Sequence, residues 1–425
     1  MFKKILLFAV TIILLLPSIV LAAPPVVFFS DMPDGPISGF NGSATQGAAV
    51  SIWGVNFGAS GTVTVGGQTL SSSDPSQVAE WAATTNPTTA RGLQRITFYL
   101  NSSMSTGATT IKVTVGGVDS NTIDFYCRNT GNIYFVATDG DDSRTATQAK
   151  SAATPWKTCG KIRANLAAGD VAYLRSGTYT DLDSDNGVTG AIFVFTVGGE
   201  GHFNNGSANN TITVKSYPAE LAQVGLAKDL SHAYASRQLI TPSSTITVEN
   251  QPTSARQIMV NFYDPDGETS WMGGTITIAG TVSGSPDSEN VTISSNGEAL
   301  TTKAFTALSS ITVGALTSYD GDEYVSFGYI NNKQAIYFGS SGVLRYWTFS
   351  NLKMESTSDV WSGGYQAGNG ADYIRLVGND MSNGYYNRYG DIQAAVCVTG
   401  GGQGASYLYV LGNYIHDPCS DYRGQ

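Results

Sequence analysis

Three segments of this chain can be laid over one another: residues 347–354 (WTFSNLKM), 374–381 (IRLVGNDM) and 408–415 (LYVLGNYI). In each, apolar residues alternate with variable ones, a small or Asn/Gly corner follows, and an apolar residue closes the phrase. Alternation with a period of two is a strand with one buried face. A shorter strand candidate running toward glycine precedes each phrase, at 336–339, 365–368 and 396–400. Short strands recurring at roughly 20–35 residues, with no helix between them, predict a solenoid of the parallel β-helix kind.

The first 22 residues read as an export signal. Lys3 and Lys4 form its positive end, residues 5–16 its apolar run, and residues 20–23 its small-residue cleavage region. That run is short for a membrane span, and no later stretch approaches about 20 apolar residues. The expected location is therefore extracellular or on the cell surface. Removal of the leader leaves 21 basic and 33 acidic residues, a net charge of −12, which argues against nucleic acid as a partner. An anionic polysaccharide would need a local basic patch or bridging metal ions. Only 13% of residues are charged, against 49 Gly and 22 Tyr, a balance that fits an exported all-β protein.

Residues 24–127 read as a small β-sandwich, with strand candidates at 26–30, 49–53, 61–65, 95–100 and 110–115. Within it, 47–58 (GAAVSIWGVNFG) followed by 62–67 (TVTVGG) resembles the core of IPT/TIG domains, which are immunoglobulin-like. The resemblance implies a spacer or docking module without catalytic residues. Residues 131–179 carry an aromatic strand (133–137), an acidic Gly-rich loop (139–142), a helix over roughly 156–167 opened by TPWKT, and the run AGDVAYLRSGTY (168–179). That order resembles the N-terminal cap of secreted right-handed parallel β-helix proteins of the pectate-lyase-like superfamily. The resemblance implies the fold, and it implies contact with polysaccharide only by analogy.

The stack continues at 191–196 and 211–217, then breaks. Strand candidates at 245–249, 258–263, 275–281, 290–294 and 310–313 predict an inserted small β-sandwich over 240–318, similar to modules of phage-associated surface proteins. The stack resumes near Ala335 and runs through 319–425, with the last rung lacking an evident cap, as expected of a truncated piece. The predicted fold class is thus all-β: an N-terminal Ig-like sandwich, and a right-handed parallel β-helix spanning 131–239 and 319–425 around the insert.

In such a stack, side chains at one position of successive rungs lie about 4.8 Å apart. Asn379 and Asn413 share a position and predict an amide ladder at a corner. Asp380 shares a position with Tyr414, close to His416 and Asp417, and Lys353 is its partner one rung earlier. Carboxylates beside a basic side chain suit β-elimination from a uronate, with Lys353 as base and Asp380, His416 and Asp417 completing the set; two acids alone would suit glycoside hydrolysis. A hydrogen-bonded turn is the plain alternative. The loop 380–391 offers Tyr385, Tyr386 and Tyr389 as stacking faces, and Arg388 with Asp391 as polar contacts to a uronate. Asp139, Asp141 and Asp142 read first as a capping loop and second as oxygen ligands for Ca²⁺, without the full EF-hand pattern.

Four cysteines follow the leader, Cys127, Cys159, Cys397 and Cys419, and an exported chain can oxidise them. Of three pairings, the nearest-neighbour one (127 with 159, 397 with 419) is the expectation. Two functions remain open at this point: a carbohydrate-active enzyme of lyase or hydrolase type, and a non-catalytic adhesin or tail-fibre-like binder. A polysaccharide or cell-surface glycan is the expected partner of both.

Overall fold

The computed structural model describes residues 23–84, 92–181, 183–185, 188–189, 191–195, 203–225, 234–252, 255–263, 274–293, 297–316, 319, 321–329, 334–338, 344–355, 372–382 and 406–416. More than half of these residues lie in strands and only one short α-helix is among them, so the molecule is all-β. The leader, the candidates at 365–368 and 396–400, and the loop 383–391 lie outside them.

Two parallel sheets organise the second half of the chain. The first sheet holds, in spatial order, Ile133–Val136, Val171–Leu174, Ile212–Ser216, Trp347–Ser350, Asp372–Val377 and Ser406–Leu411. The second holds Gly177–Tyr179, Ala222–Val224, Leu352–Glu355, Asp380–Ser382 and Tyr414–His416. Every neighbouring pair in both is parallel. From Val171 onward the chain lays one strand in the first sheet and then one in the second. A third parallel pair, Ala191–Phe195 with Gln334–Phe338, lies across from them. The register confirms the overlay of the repeated phrases: Phe349 sits beside Leu376 and Leu376 beside Val410.

Inward residues of all three sheets meet in one core that includes Val214, Phe193, Phe195, Trp347, Phe349, Met354, Ile374, Leu376 and Met381. The last described rung leaves this core part-open. Val410 and Ile415 are 40% and 46% exposed, where their neighbours Leu376 and Met381 are buried.

The N-terminal unit is two sheets around a second core. Val26–Ser30, Gln46–Val55, Gln94–Asn101 and Val78–Ala83 form an antiparallel sheet, and the other sheet runs through Asp34–Pro36, Ile123–Arg128, Gly107–Val115, Thr62–Val65 and Gln68–Ser71. This second core extends into the outer face of the first parallel sheet through Ile133, Phe135, Val171 and Tyr173. That sheet is therefore covered on both faces, which explains why strands such as VAYL and WTFS have no exposed positions.

Polar contacts also cross this boundary. The Tyr173 hydroxyl accepts from the Ala49 amide at 2.7 Å, the Thr211 hydroxyl donates to Asp34 at 2.7 Å, and Arg375 donates to the Ser30 carbonyl at 2.9 Å. Two corners of the stack, Gly378 and Gly412, have φ of +62° and +59° and lie against the stacked rings of Trp53 and Phe29. A Cβ at Gly378 would sit 2.4 Å from the Trp53 ring, so glycine is required there by both conformation and space.

Between the two halves of the stack lies one antiparallel sheet of seven strands with its own core, including Ile258, Val260, Ile276, Ile278, Phe305 and Ile311. It is wider than the sequence predicts, running from Ala235–Leu239 to Tyr324–Gly328. It is also one sheet. The long strand Gly297–Val313 pairs through its first half with Arg256–Tyr263 and through its second with Gly274–Val282, which joins the two groups of strands.

The short helix is Cys159–Asn165, three residues later than the sequence suggests. Asp142 explains the shift. Its carboxylate accepts the amides of Lys157 and Thr158 at 2.8 and 3.1 Å and the Thr158 hydroxyl at 2.6 Å, holding the segment before Cys159 out of the helix. Trp156 is used instead as a stacked partner of Tyr134, with ring centroids 5.0 Å apart.

The expected Cys127–Cys159 disulfide is not formed: both thiols are free and buried. Cys127 belongs to the N-terminal core and Cys159 to the core of the stack. Proximity along the chain does not bring together side chains that point into different cores. Burial pushes the Cys127 thiol up to about 11 and that of Cys159 well above its usual range. Cys397 and Cys419 lie outside the described residues.

Candidate functional site

The outward face of the second parallel sheet brings together three of the residues singled out in the sequence, Lys353, Asp380 and His416. Strands there are three or four residues long, and each turns an apolar residue inward: Val224, Met354 and Met381 are buried. The preceding residues point outward and fall into one column. Thr178 lies beside Gln223, Gln223 beside Lys353, Lys353 beside Asp380, and Asp380 beside Tyr414. Successive members are one strand spacing apart, about 4.8 Å.

At the far end of this column His416 and Asp380 meet, Nε2 to Oδ1, at 2.7 Å, with both side chains part-exposed. The Tyr414 ring stacks on the imidazole, centroids 4.3 Å apart. Lys353, Asp380 and His416 are thus brought onto one face by parallel register. Asp417, Tyr385, Tyr386, Arg388, Tyr389 and Asp391 lie outside the described residues.

The near end of the column opens into a cleft of about 180 Å³ lined in part by Lys157, Thr158, Thr178 and Asp181. A larger polar cleft of about 390 Å³ lies beside the acidic loop, lined in part by Asp139, Arg144, Arg175 and Glu220. There Arg175 holds Glu220 through Nε and Nη2 at 2.6–2.9 Å, and this partner raises the guanidinium pKa further.

The acidic loop is not assembled as a metal site. Asp142 holds the Lys157 and Thr158 amides ahead of the helix, and Asp141 accepts the Ser143 amide at 2.8 Å, a bond that holds its carboxyl below the usual range. Asp139 lines the larger cleft. Among the described residues no group of three or more His, Cys, Asp or Glu side chains is placed to hold a metal ion.

The amide ladder is present. The Asn379 side chain accepts the Leu352 amide at 3.0 Å and donates to the Phe349 carbonyl at 3.0 Å, while Asn413 accepts the Asn379 amide at 2.8 Å and donates to the Leu376 carbonyl at 2.8 Å. These bonds tie each corner to the rung before it and make both residues structural.

A second ladder was legible and not read. Tyr346, Tyr373 and Tyr407 each stand immediately before a repeated phrase. All three adopt φ of +56°, and their rings stack at 4.4 Å spacing. Bulky residues seldom accept this conformation. The outermost ring, Tyr407, is 59% exposed. The signal in sequence was a Tyr at equal offset in three successive rungs.

No known family and no curated protein matches the chain. Two solved structures share weak likeness with it. One is the complex of XylC with xylose, at a TM-score of 0.28 and 12% identity, over 59% of this chain and 41% of that one. The other is SGBP-B of the Bacteroides ovatus mixed-linkage glucan utilization locus in complex with a mixed-linkage heptasaccharide, at a TM-score of 0.18 and 10% identity, over 69% of this chain and 75% of that one. This chain spans under half the length of the XylC structure. At these scores neither likeness carries an argument about the chain. Among the described residues no helix is long and apolar enough to cross a membrane.

Proposed function

We propose that this protein binds an extended, uronate-containing polysaccharide along the outward face of its second parallel sheet. The observation that carries the reading is the column Thr178–Gln223–Lys353–Asp380–Tyr414, in which hydroxyl, amide, ammonium, carboxylate and aromatic groups follow one another at the spacing of a parallel sheet. An extended polymer laid along the stack meets one such group per rung. Lys353 supplies the cation for a sugar carboxylate, and Tyr414 an apolar ring for a sugar face. On this reading the parallel sheets are faces of a right-handed β-helix, the N-terminal unit is an immunoglobulin-like spacer, and the protein works outside the cell or at its surface.

The test is affinity electrophoresis in gels containing polygalacturonate, alginate or a neutral glucan. Retardation by a uronate polymer, reduced about tenfold or more in affinity by Lys353→Ala, supports the reading. Equal migration in all gels overturns it.

The direct Asp380–His416 pair beside Lys353 favours a second reading, β-elimination from the bound uronate. A basic side chain would take the proton α to the carboxylate, as general-base chemistry requires. Unsaturated product, detected by ultraviolet absorbance with and without Ca²⁺ and lost in Asp380→Ala, would establish it. Binding without product leaves an adhesive role.

A further inference from the structure

We propose that Lys215 and Asp31 condense to an intramolecular isopeptide bond that fastens the N-terminal unit covalently to the parallel stack. Lys215 is in Ile212–Ser216, on the outer face of the first parallel sheet, and Asp31 follows the first strand of the N-terminal unit. The two side chains are 2% and 0% exposed and in direct contact, Nζ to Oδ2.

The surroundings fix both reacting groups. Nζ donates to the Ala49 carbonyl at 2.8 Å, which orients the amine. Oδ1 of Asp31 accepts the Ser51 amide at 3.0 Å, and Oδ2 accepts from the Asn351 side chain at 3.2 Å. Attack of Nζ on Cγ leaves negative charge on Oδ1, where the fixed Ser51 N–H stabilises it as an oxyanion donor does. The Nζ–Cγ bond forms and the Cγ–Oδ2 bond breaks. Two of the three ammonium protons pass to Oδ2, which departs as water, and the third remains on the amide nitrogen facing Ala49. No oxidant or reductant is required.

Two physical terms favour the product. Held reactants in contact act at an effective concentration of about 10⁵ M or more. Condensation also replaces two ions, each costly to bury, by a neutral amide. Burial lowers the pKa of Lys215, and Asp31 opposes that shift. Among the described residues, the lysine–aspartate pairs Lys112–Asp119, Lys157–Asp181 and Lys303–Asp287 are open to water and have neither an enclosed site nor this driving force. The equally buried Arg128–Asp34 pair has a guanidinium in place of the nucleophile.

The experiment is denaturation of the purified full chain, digestion with trypsin and mass spectrometry of the peptides. The expected result is no cleavage after Lys215 and a branched peptide joining the segments that hold Asp31 and Lys215, lighter by one water than their sum. Linear peptides at their sequence masses, with cleavage after Lys215, would overturn the proposal. Lys215→Met should abolish the branched species; because the wild-type digest decides the matter, poor folding of that variant does not blunt the test. The outcome is independent of polysaccharide binding.

Discussion

Asn379 shows how one side chain can hold two rungs together. It is fully buried and satisfies the Leu352 amide and the Phe349 carbonyl. Replacing it with Ala strands both groups without water, which costs roughly 2 kcal/mol or more. A urea titration of Asn379→Ala should therefore show a lower midpoint, and Asn413→Ala, part-buried, a smaller shift. Buried tyrosines set a second expectation. Burial lifts Tyr99, Tyr134 and Tyr234 from 10.0 to about 12. Their folded pKa exceeds the unfolded value, so the stability they contribute is complete below pH 10 and is lost as pH rises from 10 toward 12. Tyrosinate absorbance in the folded protein should lag that of the urea-unfolded chain across this window; coincident curves would contradict it. At this scale the Asn ladder was legible because equal spacing places equal residues together. The cysteines were not, because spacing along a chain says nothing of which core a side chain enters.

Elements were legible where large apolar residues alternate with smaller or polar ones, even in the first parallel sheet, whose strand Trp347–Ser350 is buried on both faces. The phrases at 347–354, 374–381 and 408–415 alternate cleanly, and the structure pairs them in the overlaid register. The helix start was misplaced because Pro155 and Trp156 look like a helix opening, while the competing bonds come from Asp142, 15 residues upstream of Lys157. Asp142→Ala removes these bonds from the segment ahead of the helix and should lower the thermal midpoint by an amount equivalent to about 1 kcal/mol, a typical net hydrogen-bond contribution. The sheet reaches past 240–318 at both ends: Ala235–Leu239 is largely polar with little alternation, whereas Tyr324–Gly328 alternates but is short. At the corner, Gly378→Ala combines a left-handed backbone with a Cβ driven into Trp53. It should destabilise by more than about 1 kcal/mol, with Trp53 fluorescence changing first as the N-terminal unit lifts from the stack; an unaltered spectrum at equal stability would show that the corner tolerates a side chain.

At the scale of the whole molecule, the N-terminal unit is not a detached bead. It supplies Asp31, Asp34 and Trp53 to the outer face of the first parallel sheet, and so leaves the second sheet as the long face of the stack with polar residues outward. Nothing in the sequence marked that docking, because the residues that meet are up to 345 positions apart. The candidate site was partly legible: repeat alignment puts Lys353, Asp380 and His416 together, whereas the tyrosine ladder sits at left-handed positions outside the strand alternation that marks the phrases. With a net charge of −10, binding of an acidic polymer depends on the local cation Lys353 and should weaken as salt rises. Hydrogen–deuterium exchange with and without a uronate oligosaccharide tests the central claim most directly. Protection gathered on Ala222–Val224, Leu352–Glu355, Asp380–Ser382 and Tyr414–His416 is the expected result. Protection confined to the N-terminal unit or the inserted sheet would contradict it.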